Sequence, residues 1–250
     1  MKNIDKFRAI LVIFAGVVTI VFNWLAAAGF VNNVRPDEIS ARYETIVTPA
    51  GYAFSIWSLI YLGIFAFSIF QILPSQLVRF RAVRTPFIAT CLLNCAWIYF
   101  WHNNQIVVCF LLILLLLATL IFLLVRTGCC ETNAETWLMQ APFGIYAGWV
   151  TVASMANLTI LLVYLDVKLS PMTQDIFAVA LILIAAAAAI IVRLKLQNFF
   201  YPLAVAWAIT AIAVKQSGNT AIVVAAALAV VICLITSGTF VVHLRDSTSE

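Results

Sequence analysis

Charged residues are scarce in this chain. Asp, Glu, Lys and Arg together make up 10 % of its 250 residues, against about 25 % in an ordinary soluble domain. None falls near the centre of a long apolar run, where ionisable groups mark proton relays, ion paths and voltage sensors. The chain has two histidines and contains no glycine-rich phosphate loop, no His-Glu-x-x-His pattern and no nucleophile–base constellation. These absences argue against a pump or an ion-coupled carrier.

Apolar side chains dominate instead. They form 65 % of the sequence, against roughly 45–50 % in a soluble domain, so lipid must cover much of the surface. A spanning helix needs about 20 mostly apolar residues, and continuous runs such as Phe110–Val125 exclude the alternating pattern of a membrane barrel. The sequence therefore predicts an all-α, polytopic transmembrane helix bundle. Its eight expected spans, of which the third, sixth and seventh are short, are Arg8–Val31, Gly51–Leu73, Thr85–Trp101, Ile106–Val125, Trp137–Leu165, Ile176–Val192, Phe199–Val214 and Ala221–Val242.

The basic residues predict the orientation. The first apolar run exceeds the roughly 7–15 residues of a signal-peptide core, which favours a retained helix over a signal cleaved after Ala26–Ala28. With eight spans both termini share a side, and that side holds Lys2, Lys6, Arg8, Arg79, Arg81, Arg84, Arg126, Arg193, Lys195 and Arg245. The other side holds Arg35, Arg42, Lys168 and Lys215. The positive-inside rule then places both termini in the cytoplasm, with a bacterial inner membrane as the default. The net charge of +4 reflects this bias and implies no nucleic acid, although Arg79, Arg81 and Arg84 also suit anionic headgroups.

The connections and the cysteines leave several alternatives open. The longest connection, Asn32–Ala50, is either a lid over a site or a plain connector.

The cysteines show no metal site. Cys91 and Cys95 lie one helical turn apart, but no His or carboxylate lies nearby in the sequence to complete one. Cys129–Cys130 is either an acylation site or a pair of unmodified thiols. His102 and His243 are expected at span ends as interface residues.

Small residues recur every four positions in the eighth span. Such a seam lets helices approach closely in lipid, so the last three spans are expected to form a scaffold or the surface of a homodimer. The seam consists of Ala221, Ala225, Ala229, Cys233 and Ser237.

Aromatic and amide side chains carry the functional signal. Trp57 and Tyr61 share one helical face, as do Asn94 and Trp97 in the third span. In the fifth span Trp149, Ala153 and Asn157 follow one stripe. Flat aromatic faces with a few amides suit a planar, mostly apolar ligand. The alternative is that the asparagines join helices and the indoles fill volume, while Trp101 and Trp137 fit the interfacial belt.

Three segments resemble the translocator protein family, the TspO/MBR or tryptophan-rich sensory proteins. Thr48–Tyr61 is similar to that family's Pro-Pro-Gly-Trp-x-Phe-x-x-x-Trp-x-x-x-Tyr stretch. Leu92–Trp97 matches Leu-x-Asn-x-x-Trp, and Trp149–Asn157 matches Trp-Val-x-Phe-Ala-x-x-x-Asn. The resemblance implies a five-helix ligand-binding bundle over residues 1–165, followed by three additional helices over 166–250.

The same resemblance implies a pocket for a planar hydrophobic molecule, with a tetrapyrrole such as a porphyrin or haem as the leading ligand. Its lining residues would be Trp57, Asn94, Trp97, Trp149, Ala153 and Asn157, with Phe54 and Tyr61 as weaker matches. The alternatives are a permease for a small neutral or apolar solute, light-dependent porphyrin breakdown at Trp149, and a structural role beside a partner membrane protein. No acid–base pair supports turnover, so the expectation is a binding protein rather than an enzyme.

Overall fold

The computed structural model describes residues 2–128, 130 and 132–247, with side chains for 4–128, 130 and 132–238. Within these ranges the regular structure is helical and no strand occurs, which confirms the predicted all-α bundle. A 3₁₀ segment, Gly51–Ser55, leads into the third helix, and a π-helical segment, Thr136–Gln140, leads into the seventh. The helices are α1 (Lys2–Ala27), α2 (Pro36–Arg42), α3 (Ile56–Phe70), α4 (Arg81–His102), α5 (Ile106–Thr127), α6 (Asn133–Glu135), α7 (Ala141–Tyr164), α8 (Pro171–Leu196), α9 (Phe200–Lys215) and α10 (Thr220–Ser247).

Among the described residues, seven helical stretches are long and apolar enough to cross a membrane, so the chain is an integral membrane protein. The seventh expected span, α9, is apolar but has 16 residues, which reach about 24 Å at 1.5 Å per residue. That length is short of the roughly 30 Å hydrocarbon core. The other two spans expected to be short are longer than the apolar pattern indicated, because polar residues extend α4 to Arg81 and α8 to Pro171.

The helices pack in a sequence that joins both parts of the chain. α1 contacts α3 and α4, α4 contacts α5, and α5 contacts α7. α9 lies against α7 on one side and against α8 and α10 on the other. The α7–α9 approach depends on Gly148, where a Cβ would lie 2.5 Å from the Tyr201 carbonyl oxygen. The division at residue 165 stays a prediction, and the two parts share this close contact.

Both ends of the chain approach the same end of the bundle. Near the start of α1, Asp5 accepts a 2.8 Å hydrogen bond from Arg81 Nε at the start of α4. Late in α10, Ser237 donates to the Phe199 carbonyl oxygen just before α9. We call this the terminal end, and the opposite end, which carries residues 32–50, the loop end.

Arg84 at the terminal end binds protein groups rather than headgroups, which corrects the expectation for this residue. Its side chain is fully buried and donates to Gln71 Oε1 at 2.7 Å and to the Leu77 carbonyl oxygen at 2.7 Å. Arg79 pairs with the buried Glu135 at 2.8 Å. Because a buried guanidinium needs hydrogen-bond partners, the Arg84 contacts join α4 to the segment that connects it to α3.

The small-residue seam of α10 is used within the chain. Ala225, Ala229, Cys233 and Ser237 are buried, on a helix that packs against α8 and α9, whereas Ala221 is exposed. The seam is therefore an intramolecular packing surface and gives no support to a homodimer.

The cysteines form no metal cluster with His, Asp or Glu among the described residues. Cys91 and Cys95 are free thiols in α4. Cys129 lies outside the described residues, as does the side chain of His243, so the acylation alternative and the placement of that histidine stay predictions.

Candidate ligand-binding site

Residues 32–50 cover the loop end of the bundle. Asn32 Nδ2 donates to the His102 carbonyl oxygen at 3.0 Å, and Trp101 Nε1 donates to the Pro36 carbonyl oxygen at 3.2 Å. Farther along, the Thr45 hydroxyl lies 2.9 Å from that of Thr159 in α7. Of the two expected roles for this connection, the geometry matches a lid, since it rests on α4 and α7 and its residues line two cavities of the bundle.

A cleft of about 540 Å³ lies below this lid, between α1, α3 and α4. Its roof is Arg35–Asp37 and its walls are mostly aromatic and aliphatic. The wall residues are Ile20, Val21, Asn23, Trp24, Ala27, Gly51, Tyr52, Phe54, Ser55, Trp57, Ser58, Tyr61, Trp97 and Ile98. Pockets for drug-sized ligands typically measure about 300–1,000 Å³, so the cleft is large enough to be one.

A smaller central cavity of about 50 Å³ lies deeper, between α3, α4, α5, α7 and α9. Each enclosed water needs roughly 10–15 Å³ by this measure, so the cavity has room for a few waters and not for a macrocycle. It is lined by Ser40, Pro49, Phe54, Trp57, Trp97, Trp101, Ile113, Leu116, Trp149, Val150, Val152, Ala153, Ala156, Asn157, Ile160 and Ala208. The shared hollow expected from the helical stripes is present, but it is far smaller than a planar ligand requires.

Three aromatic side chains, Phe54, Trp57 and Trp97, line both spaces and separate them. We call this set the aromatic partition. The ring of Phe54 meets the ring of Trp149 edge-on, with 5.9 Å between their centroids. The ring of Trp57 also meets Trp149 edge-on, at 6.3 Å. Each such pair contributes about 0.5–1.5 kcal/mol beyond area burial, so aromatic contacts hold Phe54 and Trp57 of the partition in place.

The central cavity contains one unsatisfied donor and one weak hydrogen bond. Trp149 is 4 % exposed, and its Nε1 has no hydrogen-bond partner among the described residues. Trp97 Nε1 donates to Asn157 Oδ1 over 3.4 Å, near the limit for such a bond. A buried N–H without a hydrogen-bond partner costs about 1–3 kcal/mol. The cavity therefore favours a ligand group that carries a hydrogen-bond acceptor.

Asn94 fills the helix-joining role rather than facing either cavity. Its Oδ1 accepts a 2.6 Å hydrogen bond from Asn23 Nδ2, and its own Nδ2 donates to the Tyr146 hydroxyl at 2.9 Å. These bonds tie α1, α4 and α7 together in hydrocarbon, where an unpaired amide is costly. Of the other expected site residues, Tyr61 lines the cleft, Ala153 and Asn157 line the central cavity, and the ring of Tyr61 stacks on Trp57 at 5.5 Å.

Two residues expected at the membrane interface are buried instead. Trp101 is 3 % exposed, stacks on Trp97 at 5.2 Å and lines the central cavity. His102 is also buried, with Nδ1 lying 2.8 Å from the Ile98 carbonyl oxygen. Residues 32–50 cover both side chains. The position of a residue at the end of a span does not show that another segment covers it. Trp137, 54 % exposed, does match the interfacial belt.

α1 and α9 also contribute residues to the two cavities, which the aromatic and amide stripes do not predict. Asn23 was detectable, because an amide within a long apolar run calls for a partner just as Asn94 does. Trp24 and Ile20 carry no such signal, nor does Ala208 of α9, which lines the central cavity. Only the packing of the helices reveals them.

The loop end is charge-compensated. Arg35 makes two hydrogen bonds to Asp37, at 3.1 and 2.9 Å. Lys215 donates to Glu44 at 2.7 Å, and this hydrogen bond lowers the pKa of the Glu44 carboxyl below its ordinary value. Because the charges at the roof are paired and the walls are neutral, the site favours a mostly apolar guest.

Comparison with protein families places most of the chain in a known family. Residues 9–240 fit the family model described as TSPO-like protein. The matched region runs through α8, α9 and α10 as well as the first five spans. No curated protein and no solved structure matches the chain.

Proposed function

The chain belongs to the TSPO-like protein family, and from that premise we propose that it binds a planar, mostly apolar ligand within the membrane, with a tetrapyrrole as the leading candidate. The observation that carries the proposal is the 540 Å³ cleft with aromatic walls and a charge-compensated roof. Trp24, Tyr52, Trp57 and Trp97 supply flat faces in that wall. A macrocycle can stack on such faces without charged partners.

The two cavities have different expected uses. The cleft takes the body of the ligand, because the central cavity is too small for a ring system. A small acceptor group, such as a carbonyl oxygen, can pass the aromatic partition and meet the N–H of Trp149. The ligand chemistry that fits is a flat apolar body with an acceptor at one edge.

The half of the bundle nearer the terminal end favours binding over transport. Five phenylalanines from α3, the residue before α4, α4 and α7 form one cluster there, with Phe67 and Phe143 at 4.7 Å, Phe67 and Phe87 at 5.1 Å, and Phe70 and Phe80 at 5.6 Å. Phe80 also lies 5.9 Å from Phe67. A permease needs a path past this point, and solute counterflow in liposomes would reveal one.

Titration with protoporphyrin tests the proposal. Addition of protoporphyrin to the purified protein in lipid nanodiscs should quench the tryptophan fluorescence in a saturable way. Binding should also shift the absorbance of the porphyrin. Trp57→Leu should weaken binding about tenfold, since Trp57 borders both cavities and makes three of the ring contacts at about 0.5–1.5 kcal/mol each. Trp149→Ala should weaken it less, because Trp149 lies behind the partition.

Trp137→Leu is the matched control: Trp137 lies within the π-helical segment at the terminal end, away from the cleft, so the substitution should leave affinity unchanged. Absence of saturable binding in the wild type would refute the tetrapyrrole. An equal loss in Trp57→Leu and Trp137→Leu would refute the assigned site.

We also propose that both termini face the cytoplasm of a bacterial inner membrane, because Lys and Arg concentrate at the terminal end. A reporter that is active only outside the cytoplasm should be silent when fused to the C-terminus and active when inserted after Asn33. The reverse result would invert the topology.

A further inference from the structure

We propose that α9 positions the ligand site: through Trp207 it holds the 3₁₀ segment Gly51–Ser55, and with that segment the aromatic partition. The role rests on the binding function proposed above, because its consequence is the affinity of that same site. It gives a function to a helix outside the five that the sequence resemblance covered.

The 3₁₀ segment has open space on both flanks. The cleft lies on one side. On the other lies a groove of about 340 Å³, lined by Ser55, Ile56, Leu59, Ile145, Leu203, Ala204 and Trp207. Ser55 borders both spaces. Because 3₁₀ hydrogen bonds have poorer geometry than α-helical ones, a segment flanked in this way needs contacts from elsewhere to stay in place.

Those contacts come from α9. Trp207 Nε1 donates to the Ala53 carbonyl oxygen at 3.1 Å. One residue before the segment, the Ala50 backbone N–H donates to the Ala211 carbonyl oxygen at 3.0 Å. The ring of Tyr52 meets Trp207 edge-on at 5.4 Å. Trp207 and Ala211 are one helical turn apart, so a single face of α9 holds the segment at two points.

The contacts from α9 also determine the position of the aromatic partition, because the 3₁₀ segment contains Phe54 and is continuous in the chain with Trp57. Ala53 precedes Phe54, and Trp57 follows one turn later on α3. A displacement of the segment would move the Phe54 ring away from Trp149, which it contacts at 5.9 Å. The width of the passage between the cleft and the central cavity therefore depends on where α9 sets the segment.

α9 is fixed to the bundle independently of this contact. Near its start, the Tyr201 hydroxyl lies 2.5 Å from the Thr151 hydroxyl of α7. Tyr201→Phe removes one hydrogen bond from the same helix without touching the 3₁₀ segment. It is therefore the matched control for Trp207→Phe, which removes the N–H and keeps an aromatic ring.

The experiment compares wild type, Trp207→Phe and Tyr201→Phe in nanodiscs. Protoporphyrin affinity is followed by its own absorbance, so that the loss of one tryptophan does not affect the signal. Trp207→Phe should bind about 3- to 10-fold more weakly, the range that one hydrogen bond supports. Amide hydrogen exchange at residues 51–56 should accelerate in Trp207→Phe and stay at the wild-type rate in Tyr201→Phe.

Unchanged exchange at 51–56 in Trp207→Phe would overturn the proposal, and so would an equal loss of affinity in both variants. If the wild type binds no porphyrin, the binding function fails, while the exchange comparison still decides whether Trp207 holds the segment. If Trp207→Phe does not fold, Tyr52→Leu, which removes the ring contact with Trp207, takes its place in the exchange measurement. Faster exchange at residues 51–56 in Tyr52→Leu would then support the proposal that Trp207 keeps the segment in place, and an unchanged rate would overturn it.

Discussion

Gly148→Ala tests the contact that joins the two parts of the chain. A Cβ at this position would lie 2.5 Å from the Tyr201 carbonyl oxygen and 2.9 Å from Ala204 Cβ, well inside the roughly 3.5–4.0 Å optimum for such contacts. Since the nearest atom belongs to the α9 backbone, no rotamer change relieves the overlap, and α9 must shift away from α7. Overpacking of this kind costs about 1–3 kcal/mol.

Thermal unfolding in detergent measures the effect. In a chain of this size each kcal/mol shifts the melting temperature by about 2–4 °C, so Gly148→Ala should lower it by about 2–12 °C. Gly218→Ala is the matched control: its Cβ would meet nothing within 4 Å, and the change should be neutral or stabilising by up to about 1 kcal/mol. Equal melting temperatures for both variants would refute the close α7–α9 packing.

Three further predictions concern polar contacts. Arg84→Met should destabilise the protein by about 1.5–3 kcal/mol, since charged hydrogen bonds to Gln71 and Leu77 are lost; a stability equal to wild type in chemical unfolding would contradict the buried network. Asn94→Leu should cost about 1–3 kcal/mol, because Asn23 and Tyr146 lose their partner, yet it should affect porphyrin affinity less than Trp57→Leu. The ion pair of Glu44 and Lys215 should contribute stability above pH 4.5, the unperturbed value, and lose it as pH falls through the lowered pKa of Glu44. The difference in melting temperature between wild type and Glu44→Gln should therefore shrink in acid, and a difference that grows would refute the pairing.

Much of the candidate site follows from helical spacing. Trp57, Trp149, Ala153 and Asn157 lie where their stripes predicted, around a common hollow. A stripe indicates which residues share a face, because the helical repeat is a local property. It does not indicate how far apart the facing helices stand, so neither the 50 Å³ size of the hollow nor the larger cleft beside it could be predicted.

Residues near span ends were the least predictable. Trp101 and His102 were assigned to the interface from their position along the chain, and both are buried because residues 32–50 fold over them. Arg84 looked equally suited to headgroups, yet Gln71 and Leu77 surround it. In each case the deciding partner is contributed by another segment, and hydropathy carries no information about that partner.

The sequence by itself determined that this protein is a helical bundle in a membrane and where its spans lie, because bilayer thickness and side-chain hydrophobicity act on each segment separately. The tertiary structure alone decided which faces meet, how large the cavities are and which helix supports them. The hydrogen bond from Trp207 to Ala53 joins positions 154 residues apart. Such a contact depends on how the helices pack and not on the local pattern at either position.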